Sequence, residues 1–456
     1  MALVALPRPT QEKPRVITAS ASRVEDRFEE FEVEQVLETT DLTDVAETDP
    51  SAIVAEVENV QVVTADDALD AAPLAVDVGD VGSIPVPFGD MVSQIGGGAA
   101  MGFGGRSNAA ALAAKNGGGG DTEAAVDRAL DWFMEHQLED GSWSFDFSEC
   151  PKCRGECRHS GKSGDRAGAT AMALLPFLGR GQTHQEGRHR KAIERGIAFL
   201  AARSVQQGGV IYEPRSTHGL YIQGLAGIAL SECYGLTQDR RLAGPAQLAL
   251  NHIMAAQDPR GGGWRYRPGQ PGDTSASGWQ IMALKSGDMA YLQVNPLTVK
   301  KAVEFLDSVQ SHDGATYGYT DNSRDRPSLS AVGLLCRMYV GWKKDHPVIQ
   351  DGAKRLAWVG PTNDLYYDYY ATQVMHHLGG DLWKAWNARM KTMLLQSQAR
   401  KGHEKGSWLE GVNGGPHAVS YGGRLYCTSL ATMILEVYYR HLPIYRTESV
   451  DDEFRE

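Results

Sequence analysis

The 456-residue chain has no run approaching the ~20 consecutive apolar residues of a membrane-spanning helix, so nothing in it reads as a transmembrane segment. It also lacks the concentrated basic face that a nucleic-acid partner requires. The net charge is -12, and residues 121–456 hold 38 basic against 37 acidic side chains. The acidity is confined to one segment. Between Glu25 and Asp80, eighteen Asp or Glu residues face a single basic residue, Arg27. Cysteine is scarce, with six residues that do not form the pattern of a secreted disulfide scaffold. Gly261 to Gly263 has neither a following Lys-Ser/Thr nor a preceding strand, which makes it a turn and excludes a phosphate loop. After Asp121 no alternating apolar pattern appears anywhere, so no sheet is expected there.

Residues 1–95 are acidic and poor in aromatics, a composition that cannot offset chain entropy by burial, and they read as a disordered tether. Residues 96–120, with glycines at 96–98, 104–105 and 117–120, read as a flexible linker, in which Ala109 to Lys115 forms a helical turn at most. Residues 447–456 are an acidic tail. The opening Met-Ala-Leu-Val-Ala-Leu-Pro is too short for a signal peptide. It suits either the stub of a membrane anchor preceding this chain or the exposed terminus of a cytoplasmic protein.

The character changes at Asp121. Twelve helical patterns alternate from there to residue 446, in six hairpins. The outer helices are placed near 121–136, 189–205, 243–256, 296–309, 347–359 and 382–398. The inner helices, richer in Ala, Gly and Ser, are placed near 166–178, 217–234, 274–290, 328–342, 368–378 and 424–440. Most hairpins carry a Gln-to-aromatic ending: Gln137 to Trp143, Gln206 to Tyr212, Gln257 to Trp264, Gln310 to Tyr317 and a longer Gln398 to Trp408. The first four aromatics are 69, 52 and 53 residues apart, a period typical of two-helix units. One hairpin cannot bury its own apolar face; six can close into a ring. The fold expected is an all-α (α/α)6 toroid.

These endings resemble the QW motif of squalene-hopene cyclases and the matching repeats of protein prenyltransferase β subunits. The layout is similar to a largely planctomycete group of bacterial prenyltransferase or squalene-oxidase repeat proteins, whose members often carry an N-terminal anchor and a low-complexity tether. The resemblance implies a central funnel and a lipophilic, isoprenoid-type ligand that is bound or transformed. The departures are equally plain. The Asp-x-Asp-Asp acid of the cyclases is absent, and Asp273-Thr274-Ser275 has a serine where the prenyltransferase zinc site needs a thiolate. A second reading is therefore a non-catalytic tethered scaffold recognising a polypeptide or an envelope component, and a third is a carbohydrate-active α/α barrel.

Two constellations could carry chemistry. In Cys150-Pro-Lys-Cys153-Arg-Gly-Glu-Cys157-Arg-His159, three thiols and an imidazole lie within ten residues. That set suits structural Zn²⁺, although the spacing is not that of a standard finger. A disulfide with one free thiol, or plain loop cysteines, are the other readings. No other cofactor is expected. Cys233, Cys336 and Cys427 lie in apolar helices and read as buried thiols. The second constellation follows from topology, because parallel inner helices bring their N-termini to one mouth. Asp165, Asp273 and Asp325 are the candidate acids there, with Asp273 the first choice, against the alternative that each is a helix cap. His218, Tyr221, Trp279 and Tyr369 are candidates for ligand contact, as are Tyr367, Asp368, Arg424 and Tyr426.

Overall fold

The computed structural model describes residues 106, 108–409 and 418–441, without the side chains of 418 and 419. The tether at 1–95, the start of the linker and the tail at 447–456 lie outside the described residues.

Fourteen helices account for most of the described chain. After α1 (Ala109–Asn116), the outer helices are α2 (Gly120–Glu135), α4 (Arg190–Gln206), α6 (Arg240–Ala255), α8 (Pro296–Val309), α10 (Pro347–Val359) and α12 (Gly380–Ser397). The inner helices are α3 (Arg166–Gly179), α5 (Gly219–Thr237), α7 (Thr274–Met289), α9 (Pro327–Tyr339), α11 (Leu365–Leu378) and α13 (Gly423–Leu435), with α14 (Val437–Arg440) continuing the last. Each inner helix packs against the next, and α13 packs back on α3, so the inner layer closes. In the outer layer α12 meets α2. The protein is an (α/α)6 toroid.

Burial separates the layers as physics requires. In α6 the buried positions Leu242, Ala246, Ala249, Leu250 and Ile253 form one stripe, the mark of a helix with a solvent face. In α7 every residue from Ala276 to Gly287 is buried, because an inner helix meets neighbours all round. Small residues permit that crowding: a Cβ on Gly278 would lie 2.4 Å from Val332.

The Gln-to-aromatic endings hold one hairpin to the next. Gln137, Gln257 and Gln398 each donate from Nε2 to two carbonyls, one in their own turn (Gly141, Gly262, Gly406) and one in the first turns of the next outer helix (Ala192, Thr298, Ala125). The last of these joins the sixth hairpin to the first. Trp143, Trp264 and Trp408 donate their indole N–H to Phe133, Ile253 and Leu394 of the preceding helix. Gly262 has φ +76°, and a side chain there would meet the carbonyl of Lys301, so the turn accepts only glycine. The second hairpin departs from the sequence reading. Its Gln206 is exposed, and Gln223 of α5 supplies the amide instead, donating to Gly209 and Ala249.

Three smaller expectations change. A two-residue antiparallel pairing, Gln310–Ser311 with Thr316–Tyr317, appears where no strand was expected. The last inner helix is broken near Glu436 rather than continuous. Residues 109–116 form two full turns docked on the ring, not one loose turn. There Trp383 donates to the Asn116 carbonyl (3.0 Å) and Asn116 donates to that of Tyr438 (2.9 Å), so Asn116 reaches two elements at once. Among the described residues, no helix is long and apolar enough to cross a membrane.

Candidate functional site

The six inner N-termini converge, and the loops before them bond to one another around the mouth. Leu220 N–H donates to Tyr266, Thr274 N–H to Tyr319, Ser163 N–H to Tyr421 and Glu213 N–H to the Asp165 carboxylate. Of the two buried candidate acids, Asp273 is the one with an oxygen that no hydrogen bond holds. It caps α7, with Oδ1 accepting from Ala276 N–H at 2.7 Å. Its Oδ2 is buried without a hydrogen-bond partner, and Arg265 Nε stands off at 3.8 Å. Burial pushes the carboxyl up to about 6, against the opposing pull of Ala276 N–H, Tyr319 and Arg265. Asp165 is committed on both sides, accepting from Ala167 and Gly168 through Oδ1 and from Glu213 through Oδ2. Asp325 is exposed in the loop before α9.

Aromatic rings surround Asp273. Tyr266 and Tyr319 share a hydroxyl–hydroxyl hydrogen bond of 2.8 Å, and the Arg265 guanidinium lies over both rings, 5.3 and 5.5 Å from their centroids. Tyr221 stacks on Tyr266 at 6.1 Å, and His218 meets Tyr266 edge-on at 5.1 Å. Across the mouth, Ser275 bonds Tyr366 at 2.6 Å. Tyr426 is half-buried close to Tyr366. Deeper in, Trp279 stacks on Tyr369 (5.7 Å, 14° between planes) and meets Tyr370 edge-on. Tyr266, Tyr319 and Arg265 were not singled out from the sequence. A signal existed: an aromatic residue recurs two positions after the landmark, as Phe145, Tyr266 and Tyr319.

Three predicted ligand residues lie elsewhere. Tyr367 donates to Leu356 of the outer helix α10 at 3.1 Å. Asp368 accepts from Thr362 N–H in the turn before its own helix, and burial pushes its carboxyl well up. Arg424 binds the Arg158 carbonyl, Ser407 and Glu404, bracing loops on the rim.

The opposite end of the ring is filled by buried charge. Glu232 of α5 pairs with Arg106 and with Arg440, each at 2.9 Å, and Arg440 also reaches Glu436 at 3.4 Å. Burial alone would raise Glu232, but the two guanidiniums hold it below the usual carboxylate range. Lys285 lies beside them, its Nζ 3.9 Å from the Tyr339 ring centroid, and burial brings it down to about 7.

The cysteine segment does not gather as its sequence order suggested. His159 is exposed, with φ +65°, and is not a member of the cluster that the thiols join. Cys150 donates to the Glu135 carbonyl. Cys153 and Cys157 meet His136 and His403 instead.

No family model matches the chain, and no curated protein matches it. Among solved structures, the chain is similar to the type II terpene cyclase MstE from Scytonema. A variant of that cyclase in complex with merosterolic acid A, its product, has 12% identity and a TM-score of 0.47, over 70% of this chain and 96% of that one. A second variant, in complex with the substrate geranylgeranyl dihydroxybenzoate, has 14% identity and a TM-score of 0.46, over 70% and 97%. An α-amylase from Clostridium perfringens has 10% identity and a TM-score of 0.46, over 69% and 98%. These are likenesses of fold and assign no activity.

Proposed function

We propose that the toroid takes a lipophilic, isoprenoid-type ligand into its aromatic interior and that Asp273 is the acid that protonates it. The observation carrying this reading is the state of that carboxyl. It is buried, held up to about 6, and has one oxygen without a hydrogen-bond partner in a mouth lined by the rings of Tyr266 and Tyr319. A carboxyl in that state can give its proton to an alkene carbon. The cation formed is stabilised by the π faces of Trp279, Tyr369 and Tyr370. Attack by a second double bond closes a ring, a proton is lost from carbon to solvent, and the Asp273 carboxylate takes a proton back from solvent, so the enzyme is unchanged. The Asp-x-Asp-Asp pattern is not needed for such an acid, since desolvation here supplies the shift that a second carboxylate supplies elsewhere.

The test is turnover of a panel of polyprenyl compounds, with native mass spectrometry and lipid extraction of the purified protein. Conversion by the wild type and its loss in Asp273→Asn, by roughly 10²–10⁴-fold, is the expected result. Absence of any bound lipid and of any turnover across the panel rejects the reading. The scaffold alternative then takes its place. It is favoured by Trp358, which is 88% exposed on the outer helix α10, where large apolar side chains are otherwise turned inward.

A further inference from the structure

The strongest unassigned constellation is at the seam where the ring closes. His136 follows α2 in the first hairpin, Cys153 and Cys157 lie in the loop between α2 and α3, and His403 lies in the turn after α12 in the last hairpin. Their ligating atoms all lie within 4.8 Å of one another. Tetrahedral Zn²⁺ with bonds of about 2.3 Å to sulfur and 2.0–2.1 Å to nitrogen places its donors roughly 3.3–3.8 Å apart, so a small contraction around an ion suffices. Cys157 Sγ is already 3.3 Å from both His136 Nε2 and His403 Nδ1.

The surroundings are arranged as metal sites require. His136 Nδ1–H donates to the Trp132 carbonyl at 2.6 Å, which fixes the tautomer and leaves the Nε2 lone pair aimed at the cluster. Backbone N–H groups of Cys153 and Cys157 donate to the sulfurs of Cys150 and Cys153, both at 3.4 Å. The neighbours of two donors are tied across the seam, since Glu404 accepts from Arg158 N–H and pairs with the Arg158 and Arg424 guanidiniums. Trp132 and Phe147 cover the His136 ring. Two thiolates balance the charge of a divalent ion, and a Cys₂His₂ set selects zinc among common metals. We propose that His136, Cys153, Cys157 and His403 bind one Zn²⁺ ion that fastens the last hairpin to the first. All four positions are filled by protein, so the ion is structural.

The test uses the full chain, purified from zinc-supplemented cells without metal in the buffers. Elemental analysis gives about one zinc per chain. Replacement by Co²⁺ gives the visible bands of a tetrahedral thiolate site, a chelator removes the ion, and the melting temperature falls with it. Cys157→Ser and His403→Gln lose the metal, whereas Cys150→Ser and His159→Gln keep it. Should Cys157→Ser fail to fold, His403→Gln on its partly exposed turn decides the matter. Zinc below about one-tenth per chain with no cobalt bands, or a Cys153–Cys157 disulfide by mass spectrometry, overturns the proposal and leaves a hydrogen-bonded thiol cluster. So does loss of metal in His159→Gln with retention in His403→Gln, or a melting temperature that a chelator does not move.

Discussion

Replacing Asp273 by Asn isolates the electrostatic cost of the candidate acid from its structural role. Asn caps a helix about as well as Asp and keeps an acceptor for Ala276 N–H, so the cap itself is conserved. The charge is not. Folding raises the carboxyl from 3.8 to about 6, so between those values the unfolded chain has released its proton while the folded one retains it. Stability contributed by the protonated form is complete below about pH 4, declines as the pH rises, and is gone above about 6. At roughly 1.4 kcal/mol per unit, the wild type loses about 3 kcal/mol across that window, and Asp273→Asn does not. The difference between the two proteins should therefore be near zero at pH 4 and reach about 3 kcal/mol in favour of the variant above pH 7. Denaturant melts at half-unit pH intervals measure it. A variant less stable at every pH, or an offset that does not change with pH, refutes the claim that the folded site holds a neutral acid. The expected sign is unusual, because few substitutions in a packed mouth stabilise a protein. Natural retention of such a destabilising group is what a functional site shows.

Other consequences can be checked separately. If Asp273 donates a proton, kcat/KM for a polyprenyl substrate falls about tenfold per pH unit above about 6; a rate that rises through that range excludes it as the acid. Gln223→Ala leaves three buried backbone groups without their amide partner and costs about 2–3 kcal/mol, whereas exposed Gln206→Ala stays within about 0.5, as urea melts would show. Glu232→Ala removes the carboxylate that the buried guanidiniums of Arg106 and Arg440 share and costs about 3–5 kcal/mol. Thermal unfolding of that variant within 1 °C of the wild type would mean the ion network does not hold the far end.

The ring was legible because its information is local. Helical periodicity, small residues on every second helix and a recurring Gln-to-aromatic ending all lie within one hairpin, and stacking six hairpins leaves little freedom except closure. The bounds of α8 and α10 agree to the residue, since proline marks the start of each, with Gly360 after α10 and the Gln310 ending after α8. What failed was substitution within the repeat. The amide of the second hairpin comes from Gln223 rather than Gln206, a swap that preserves the hydrogen bonds and erases the motif.

The candidate sites were half legible for the opposite reason: they depend on which hairpins meet. Asp273 could be chosen because it caps an inner helix, but nothing local says that Tyr319 and Tyr366, from later hairpins, come to stand over it. Arg424 and Tyr367 start inner helices too, yet a one- or two-residue turn of the helix face sends them to the rim and the outer layer. The cysteine segment shows the limit most clearly. His159 is two residues from Cys157 and faces solvent, whereas His403 is 246 residues away and touches it. His136 directly precedes the ending of the first hairpin, and His403 lies within that of the last. In a linear stack such residues would be the farthest apart of all. Only closure makes them neighbours, so a cluster containing both can form only when the ring is shut, and an ion bound there would report, and enforce, that closure.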